Sequence, residues 1–344
     1  MFSKFKSFIK RKISHLLILI LLAIILLFYG AMVQPVNCDN TNFLIPQGAT
    51  LSYVLNTLEG ESCIDNDVYL KYMMIIMNKD TKIKPGTYDL SEVEDNYQLI
   101  DLITSDNVEM TNIAILEGWD IERISRKFFE VFRIDTLKFK SLCSDREFIK
   151  SLGMNINSLE GYLYPDTYLF SVDFIHSDTK EVDIIKTLVN EFKYKYREAT
   201  KGSSHSNLSM HERVTLASII QGECVYVNEM DTVSSVYSNR LKRGMLLQAD
   251  PTIQYIIPGP NKRLYNKDYA KYKTSPYNTY SHKGLPPGPI NSPGFYALRA
   301  ATHPAETDFL FFVAKGNNRH HFTTNERDHI NAKNKYLKDV WRKN

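Results

Sequence analysis

The chain has 344 residues, which is longer than one average domain and predicts two folded units in addition to an anchor. Its 42 basic and 39 acidic residues leave a net charge of +3 that is spread along the sequence, so we expect no nucleic-acid partner. The four cysteines share no close spacing and lie near no histidine pair, which argues against zinc. We therefore expect no metal and no cofactor, and a disulfide such as Cys38–Cys63 stays open for an exported chain.

An uncharged apolar run occupies residues 16–33 and is long enough to cross most of the hydrocarbon core of a bilayer. Basic residues precede the run and no early basic cluster follows it, so the positive-inside rule predicts a cytoplasmic N-terminus. A cleaved signal peptide is the alternative, but the run is longer than usual and has no small-x-small site. We predict a cytoplasmic basic tail at 1–15 and a single-pass anchor at 16–36, with the rest of the chain outside the cytoplasm.

The first exported segment, 41–135, is predicted to be a small α+β module. Apolar residues recur at helical spacing within 51–58, after a threonine that can cap a helix. The segment 84–88 reads KPGTY, a turn that leads into a short strand. Asp120 then introduces a second helical pattern over 121–132. Because the segment carries no catalytic constellation, we expect it to bind or position a ligand.

A helix is predicted to begin after Ser209, because Ser209 and Glu212 form a capping box. The apolar residues of 216–220 and then Glu223 share one face of this helix, so a carboxylate stands where a core residue is expected. Desolvation at such a position raises the pKa of a carboxyl group, as a general acid near neutral pH requires. The alternative is a partly exposed glutamate that pairs with a basic neighbour at a helix end.

A second helix is predicted to open near 228–231 and to end at Gly244, so that the two helices form a hairpin with Glu223 near its bend. The following stretch, 250–293, holds eight of the thirteen prolines and many tyrosines. We expect a long, stiffened loop that acts either as a polysaccharide-binding wall or as a rigid structural element.

Five sequence blocks then occur in order. They are LEGYLYPDTY at 159–168, ASIIQGE at 217–223, NRLKRGMLLQADPT at 239–252, YNTY at 277–280 and GLPPGPI at 284–290. In this order they resemble the YceG-like family of endolytic murein transglycosylases, and the similarity continues to about residue 335.

The resemblance implies an α+β fold: a transmembrane helix, a small LysM-like α+β module within 41–135 and a larger α+β catalytic domain over 136–344. It makes Glu223 the catalytic acid/base. The substrate-binding candidates that it implies are Glu160, Gln248, Asp250, Asn278 and Tyr280. The family usually has a second glutamate two residues before the catalytic one, where this chain has Gln221.

The implied activity is a lyase reaction on peptidoglycan, namely cleavage between N-acetylmuramic acid and N-acetylglucosamine with formation of a 1,6-anhydro end. The implied place is the inner membrane of a bacterium, where the enzyme would cut nascent glycan strands and terminate their elongation. Partners would be glycan strands, the membrane and, as a hypothesis, cell-wall synthesis enzymes.

Two alternatives stay open at this stage. A lysozyme-like hydrolase would need a second carboxylate, for which Asp250, Glu160 and Asp166 are candidates. A non-catalytic peptidoglycan-binding scaffold is suggested by Gln221. His320 and His329 lack a third ligand at plausible spacing, so structural hydrogen bonding is the favoured interpretation for them.

Overall fold

The structure, a computed structural model, describes residues 2–38, 42–45, 49–105, 110–171, 179–202, 208–260, 262–316 and 318–341. It is a mixed α+β chain that divides into two compact units. Unit 1 comprises residues 1–112 and 168–177, and unit 2 comprises residues 113–167 and 178–344.

The chain opens with one long helix, α1 (Phe2–Met32). Its apolar stretch His15–Met32 is unburied, and among the described residues this is the one helix with the length and composition to cross a membrane. The predicted anchor at 16–36 therefore lies largely within α1, although its last four residues lie beyond the helix. The exposure of these apolar side chains suits a lipid-facing helix, because an apolar surface of this size is unfavourable in water.

Unit 1 continues with a strand, two helices and a strand: β1 (Asn42–Ile45), α2 (Leu51–Gly60), α3 (Asp67–Ile76) and β2 (Gly86–Asp89). β1 and β2 pair antiparallel, with Phe43 opposite Tyr88 in the core. The helix starts follow from their N-caps, since Thr50 and Asn66 accept backbone N–H groups of the first turns. Helix α4 (Asn96–Thr104), capped by Asp95, completes the helical layer.

The last turn of α1 joins this core directly. Phe28, Ala31 and Met32 pack against the buried residues of unit 1. The Asn96 side-chain amide donates to the Ala31 carbonyl at 2.9 Å. The disulfide between Cys38 and Cys63, left open by the sequence, is present in the structure and ties the segment after α1 to the end of α2.

A four-stranded sheet has the order β1-β2-β4-β3, where β3 is Met110–Ala114 and β4 is Thr167–Ser171. β4 runs parallel to β2, with Phe170 opposite Thr87. The backbone passes from one unit to the other within β3 and again near the start of β4.

Unit 2 is mainly helical. Its elements are α5 (Ile121–Phe132), α6 (Thr136–Leu142), α7 (Arg146–Ser151), α8 (Lys180–Ala199), α9 (Met210–Glu223), α10 (Val227–Lys242), α11 (Asp250–Ile256), α12 (Asn266–Lys271), α13 (Phe295–Thr302), β5 (Phe311–Ala314), β6 (His320–Thr323) and α14 (Glu326–Trp341). The short helix α13 packs against α8, α9 and α10 and forms the centre of the unit. β5 and β6 pair as an antiparallel hairpin against α14.

In the structure, the first boundary between the two units lies at 112/113, earlier in the chain than the boundary at 135/136 that the sequence predicts. Helix α5 belongs to unit 2 because it packs against α6: the Phe128 ring lies 6.3 Å from that of Phe139 on α6 and 6.4 Å from that of Phe132 at the end of α5. These aromatic side chains are fully buried. Their burial against α6 stabilises α5 as part of the larger unit.

The stretch 250–293 is not a continuous loop as predicted, because it contains α11 and α12. Pro251 occupies the first turn of α11, where a missing N–H costs no hydrogen bond. Prolines therefore start a helix here in addition to stiffening the turns between elements.

Candidate active site

A cavity of about 920 Å³ lies within unit 2 and is open to solvent. The segment that enters α5, the end of α9, the residues of α11 with the turn after it, and the 290–291 segment surround it. Its lining comprises Gly118, Asp120, Glu122, Arg123, Arg126, Gln221, Gly222, Glu223, Asp250, Pro251, Gln254, Tyr255, Ile257, Pro258, Gly259, Pro260, Ile290 and Asn291. The lining is rich in charged and amide groups, as a polar ligand requires.

Glu223 is the last residue of α9 and lines this cavity. The predicted capping box starts the helix, since Ser209 and Glu212 exchange bonds with each other's backbone N–H. Residues 214–220 are all buried and fix the helix in the core. Three residues, 224–226, turn the chain into α10, so Glu223 lies at the bend of a helical hairpin, as the sequence predicts.

The Glu223 carboxyl group is held in a protein environment that favours its neutral form. Burial raises the pKa of Glu223 to about 7, and the nearby negative charge of Asp250 adds to this rise. The Tyr237 hydroxyl donates to Oε1 of Glu223 at 2.8 Å and opposes the rise, as does the positive charge of Arg240. A carboxyl group with this pKa can both give and take a proton near neutral pH.

Tyr237 and Arg240 come from the buried face of α10. Burial keeps the pKa of Tyr237 well above its ordinary value, so its hydroxyl remains a donor. The Arg240 guanidinium donates to the carbonyls of Leu246, Leu247 and Leu310. These bonds hold the guanidinium in place, so that its positive charge acts on the Glu223 carboxylate without a direct ion pair.

Asp250 is exposed at the start of α11 and lines the same cavity as Glu223. Its Oδ1 accepts two phenolic hydroxyls, from Tyr280 at 2.6 Å and from Tyr269 at 2.9 Å. The two tyrosine rings lie 4.5 Å apart and hold each other in place. Of the predicted binding residues, Asp250 lines the cavity, whereas Tyr280 is linked to the cavity only by its hydrogen bond to Asp250.

Two other predicted binding residues, Asn278 and Gln248, do not line the cavity. The Asn278 side chain is fully buried, donates to the carbonyls of Tyr269 and Tyr272, and accepts the Tyr280 N–H. Gln248 has a positive φ of 52° and accepts a bond from Arg240. Both residues shape the loops that carry Asp250 and its tyrosines.

Glu160 is a second buried carboxyl group, next to the cavity wall. Burial raises its pKa to about 8, and the negative charge of Asp120 adds to the rise. Its Oε2 accepts the Ile121 N–H at the start of α5, at 3.4 Å. Asp166, also considered as a second carboxylate, instead forms an ion pair with Lys195 and is absent from the cavity lining.

Gln221 joins three chain segments at the edge of the cavity. Its side-chain oxygen accepts the Gly294 N–H at 3.1 Å, and its amide nitrogen donates to Glu117 at 3.4 Å. A glutamate at this position could accept the first bond but would face Glu117 with a like charge. The glutamine is therefore matched to its neighbours in this chain.

Several residues at the cavity were not predicted from the sequence. Tyr237 lies on the buried face of α10, and the partner of its hydroxyl, Glu223, belongs to a different helix, so the local pattern does not reveal the bond. A Cβ atom on Gly222 would lie 2.7 Å from Cβ of Pro251, so α9 and α11 approach too closely for any side chain there. Arg123 and Arg126 also line the cavity, on a helix predicted only from its apolar residues.

His320 and His329 lie outside this cavity. Nδ1 of His320 lies 3.0 Å from the Glu229 carboxylate, which also accepts the His320 backbone N–H. The His329 ring stacks on Phe311 with 5.3 Å between ring centroids. Within the described parts of the chain, no group of three or more histidine, cysteine or acidic residues could hold a metal ion.

Comparison with known proteins places these features in one family. The YceG-like family matches residues 43–335. The endolytic murein transglycosylase of Bacillus subtilis (strain 168) is 31% identical over 329 residues, covering 90% of this chain and 89% of that protein. The endolytic murein transglycosylase of Streptococcus pneumoniae (strain D39) is 23% identical and covers 87% of this chain and 60% of that protein.

A solved structure agrees with the sequence comparison. A yceG-like protein from Listeria monocytogenes is 28% identical, has a TM-score of 0.57 and covers 84% of this chain and 97% of that one. The matched region contains every residue of the cavity described above. By the extent of these matches, the chain belongs to the YceG-like family.

Proposed function

We propose that this chain is an endolytic peptidoglycan lytic transglycosylase in which Glu223 is the catalytic acid and base. One observation carries the proposal: the Glu223 carboxyl lines a large polar cavity, has a pKa raised to about 7 by burial, and is oriented by the Tyr237 hydroxyl. The relatives are named endolytic murein transglycosylases, which supports peptidoglycan as the substrate and a lyase as the enzyme class.

A single carboxyl group suffices for this reaction. Protonated Glu223 donates its proton to the glycosidic oxygen between N-acetylmuramic acid and N-acetylglucosamine, and the C1–O bond breaks. The 6-hydroxyl of the same muramic acid residue attacks C1, and the Glu223 carboxylate takes the hydroxyl proton. The product is a 1,6-anhydro end, and no water is consumed. An internal nucleophile has the high effective concentration that a positioned water must otherwise match.

The surrounding groups favour both halves of this proton cycle. Burial keeps Glu223 protonated before cleavage, whereas Tyr237 and Arg240 stabilise the carboxylate that forms afterwards. Asp250 faces the same cavity, where its negative charge stabilises the positive charge that develops on the sugar ring in the transition state. Tyr269 and Tyr280 fix the Asp250 carboxylate through their hydroxyls.

The other binding candidates differ in how directly they contact the glycan in this proposal. Asp250 contacts the glycan, and Tyr280 positions Asp250. Gln248, Asn278 and Glu160 support the loops and the helix start that form the wall. Arg123 and Arg126, which the sequence did not single out, line the cavity and suit the carboxylates of the peptide stems on muramic acid.

In the proposed layout, residues 16–36 anchor the chain in the inner membrane, with the N-terminus in the cytoplasm and the catalytic unit outside. The strand-helix-helix-strand arrangement of β1, α2, α3 and β2 supports a LysM-like module for part of 41–135. An anchored enzyme meets nascent strands near the bilayer and terminates their elongation. Cell-wall synthesis enzymes are the partners proposed for this place, and crosslinking in cells followed by mass spectrometry tests for them.

The catalytic proposal is tested with Glu223→Gln, which keeps the shape of the side chain but cannot supply a proton. Purified full-length protein is incubated with peptidoglycan, and the glycan ends are identified by mass spectrometry. Wild type should release 1,6-anhydro ends, and the variant should release none above background. Glu130→Gln, an exposed change on α5, is the matched control and should retain wild-type activity.

The same assay decides between the alternatives. The shared cavity of Glu223 and Asp250 favours a two-carboxylate hydrolase as the second candidate, and reducing ends in place of anhydro ends would establish hydrolysis. A Glu223→Gln chain that restores the phenotype of a deletion strain as well as wild type would instead show that catalysis is not the function.

A further inference from the structure

Helix α3 (Asp67–Ile76) of unit 1 is apolar on two opposite faces. One face consists of Leu70, Met73 and Met74, which are buried in the core of the unit. The other face consists of large side chains that lie at the surface: Val68, Tyr69, Tyr72, Ile75 and Ile76. A helix on the surface of a soluble domain buries one face and carries polar residues on the opposite face. The apolar outer side of α3 therefore indicates that something covers it.

The outer residues form one continuous surface. At 100° per residue, they cover an arc of roughly 120° that is centred opposite the buried residues. Ile76 is 69% exposed and Tyr72 is 61% exposed, so neither side chain is sheltered within unit 1. We call these five residues the outer face of α3.

The position of α3 indicates what covers this face. Helix α3 contacts α1, whose last turn packs into the core of the same unit through Phe28, Ala31 and Met32. Beyond Met32, the Val36 N–H donates to the Glu94 carbonyl, so no free linker separates the span from the module. Unit 1 is thus fixed at the point where α1 leaves the apolar phase.

We propose that the outer face of α3 contacts the outer surface of the lipid bilayer in which α1 is anchored. This inference rests on the proposed anchor role of α1. Apolar side chains of the outer face enter the boundary between headgroups and acyl chains, and the phenol rings of Tyr69 and Tyr72 lie at the level that tyrosine prefers. Tyr29, in the last turn of α1, is also exposed at the same end of the span.

The bilayer is favoured over other occupants by continuity. The exposed apolar stretch of α1 runs to Met32, at the end that packs into unit 1, and α1 contacts α3, so one lipid phase can cover both helices. A glycan strand would find few hydrogen-bonding groups on a face made of one valine, two isoleucines and two tyrosines. This contact would fix the tilt of unit 1 relative to the membrane, in addition to the anchoring by the single membrane-spanning helix.

The test replaces Tyr72 with the photoreactive residue p-benzoylphenylalanine in the full-length chain. The protein is placed in nanodiscs of phosphatidylethanolamine and phosphatidylglycerol, soluble glycan strands are added, and the adducts at the labelled peptide are identified by mass spectrometry after irradiation. The same residue at Tyr53, an exposed tyrosine of α2, is the matched control within unit 1. Leu22 of α1 serves as the control for the anchor itself.

We expect lipid adducts at positions 22 and 72, and several-fold fewer at position 53. Lipid adducts at 22 with none at 72 would overturn the inference and leave the anchor intact. Adducts from 72 to another peptide of the chain, to a second copy or to glycan would assign the face to that occupant and overturn it equally. An absence of lipid adducts at 22 would reject the anchor, and the inference with it.

Discussion

Removal of the Tyr237 hydroxyl should shift the pH range in which the enzyme is active. This hydroxyl donates to Oε1 of Glu223 at 2.8 Å and lowers the pKa of that carboxyl group against the effect of burial. A hydrogen bond to a charged group contributes about 1.5–3 kcal/mol, and one pKa unit corresponds to about 1.36 kcal/mol. Tyr237→Phe should therefore raise the pKa of Glu223 from about 7 by roughly one to two units.

The assay is the pH dependence of kcat/KM for release of anhydro ends from glycan strands. Bond cleavage needs the protonated acid, so activity falls as the pH rises through the pKa of Glu223. In Tyr237→Phe this alkaline limb should move to higher pH by the amount given above. Tyr269→Phe, which removes a hydroxyl from Asp250 instead, should leave the limb within a few tenths of a unit. An unmoved limb, or one displaced to lower pH, would refute the assigned role of Tyr237.

Three further outcomes follow from the same contacts. Asp250→Asn removes a negative charge that raises the pKa of the catalytic carboxyl, so the alkaline limb should move to lower pH in the same assay. Glu160 has a pKa of about 8 when folded against 4.5 ordinarily, so wild type should lose stability as pH rises from about 5 to 8. Urea unfolding should show that Glu160→Gln lacks this loss, a difference of about 5 kcal/mol above pH 8. Gly222→Ala places Cβ 2.7 Å from Pro251 and should lower the melting temperature by several degrees, unlike Gly60→Ala, where the added carbon meets nothing within 4 Å.

The sequence predicted the local parts of the site well, because local signals determine them. The capping box at Ser209 and Glu212 and the apolar spacing through 216–220 fixed the start and the buried face of α9. The same reasoning placed α5 after Asp120, whose side chain accepts the Arg123 N–H. Capping and periodicity are properties of neighbouring residues, and therefore they can be read without the fold.

Contacts between distant segments could not be read in this way. Gln221 bonds to Glu117, 104 positions away in the sequence, and to Gly294, 73 positions away. The two short helices within 250–293 were missed because proline suggests a loop, although it is well suited to the first turn of a helix. The boundary between units lies earlier in the structure than the predicted one because α5 packs against Phe139 of α6, and the sequence pattern alone does not reveal which apolar faces meet.

The return of the backbone to unit 1 at residues 168–177 has a practical consequence for soluble fragments. A fragment that begins at residue 113 keeps β4 but loses β2, the strand that pairs with it at Thr87. It would expose an unpaired strand edge together with Phe170, which is fully buried in the intact chain, and both promote aggregation. A fragment that begins at Phe28 retains both strands together with the residues of α1 that pack against the core of unit 1.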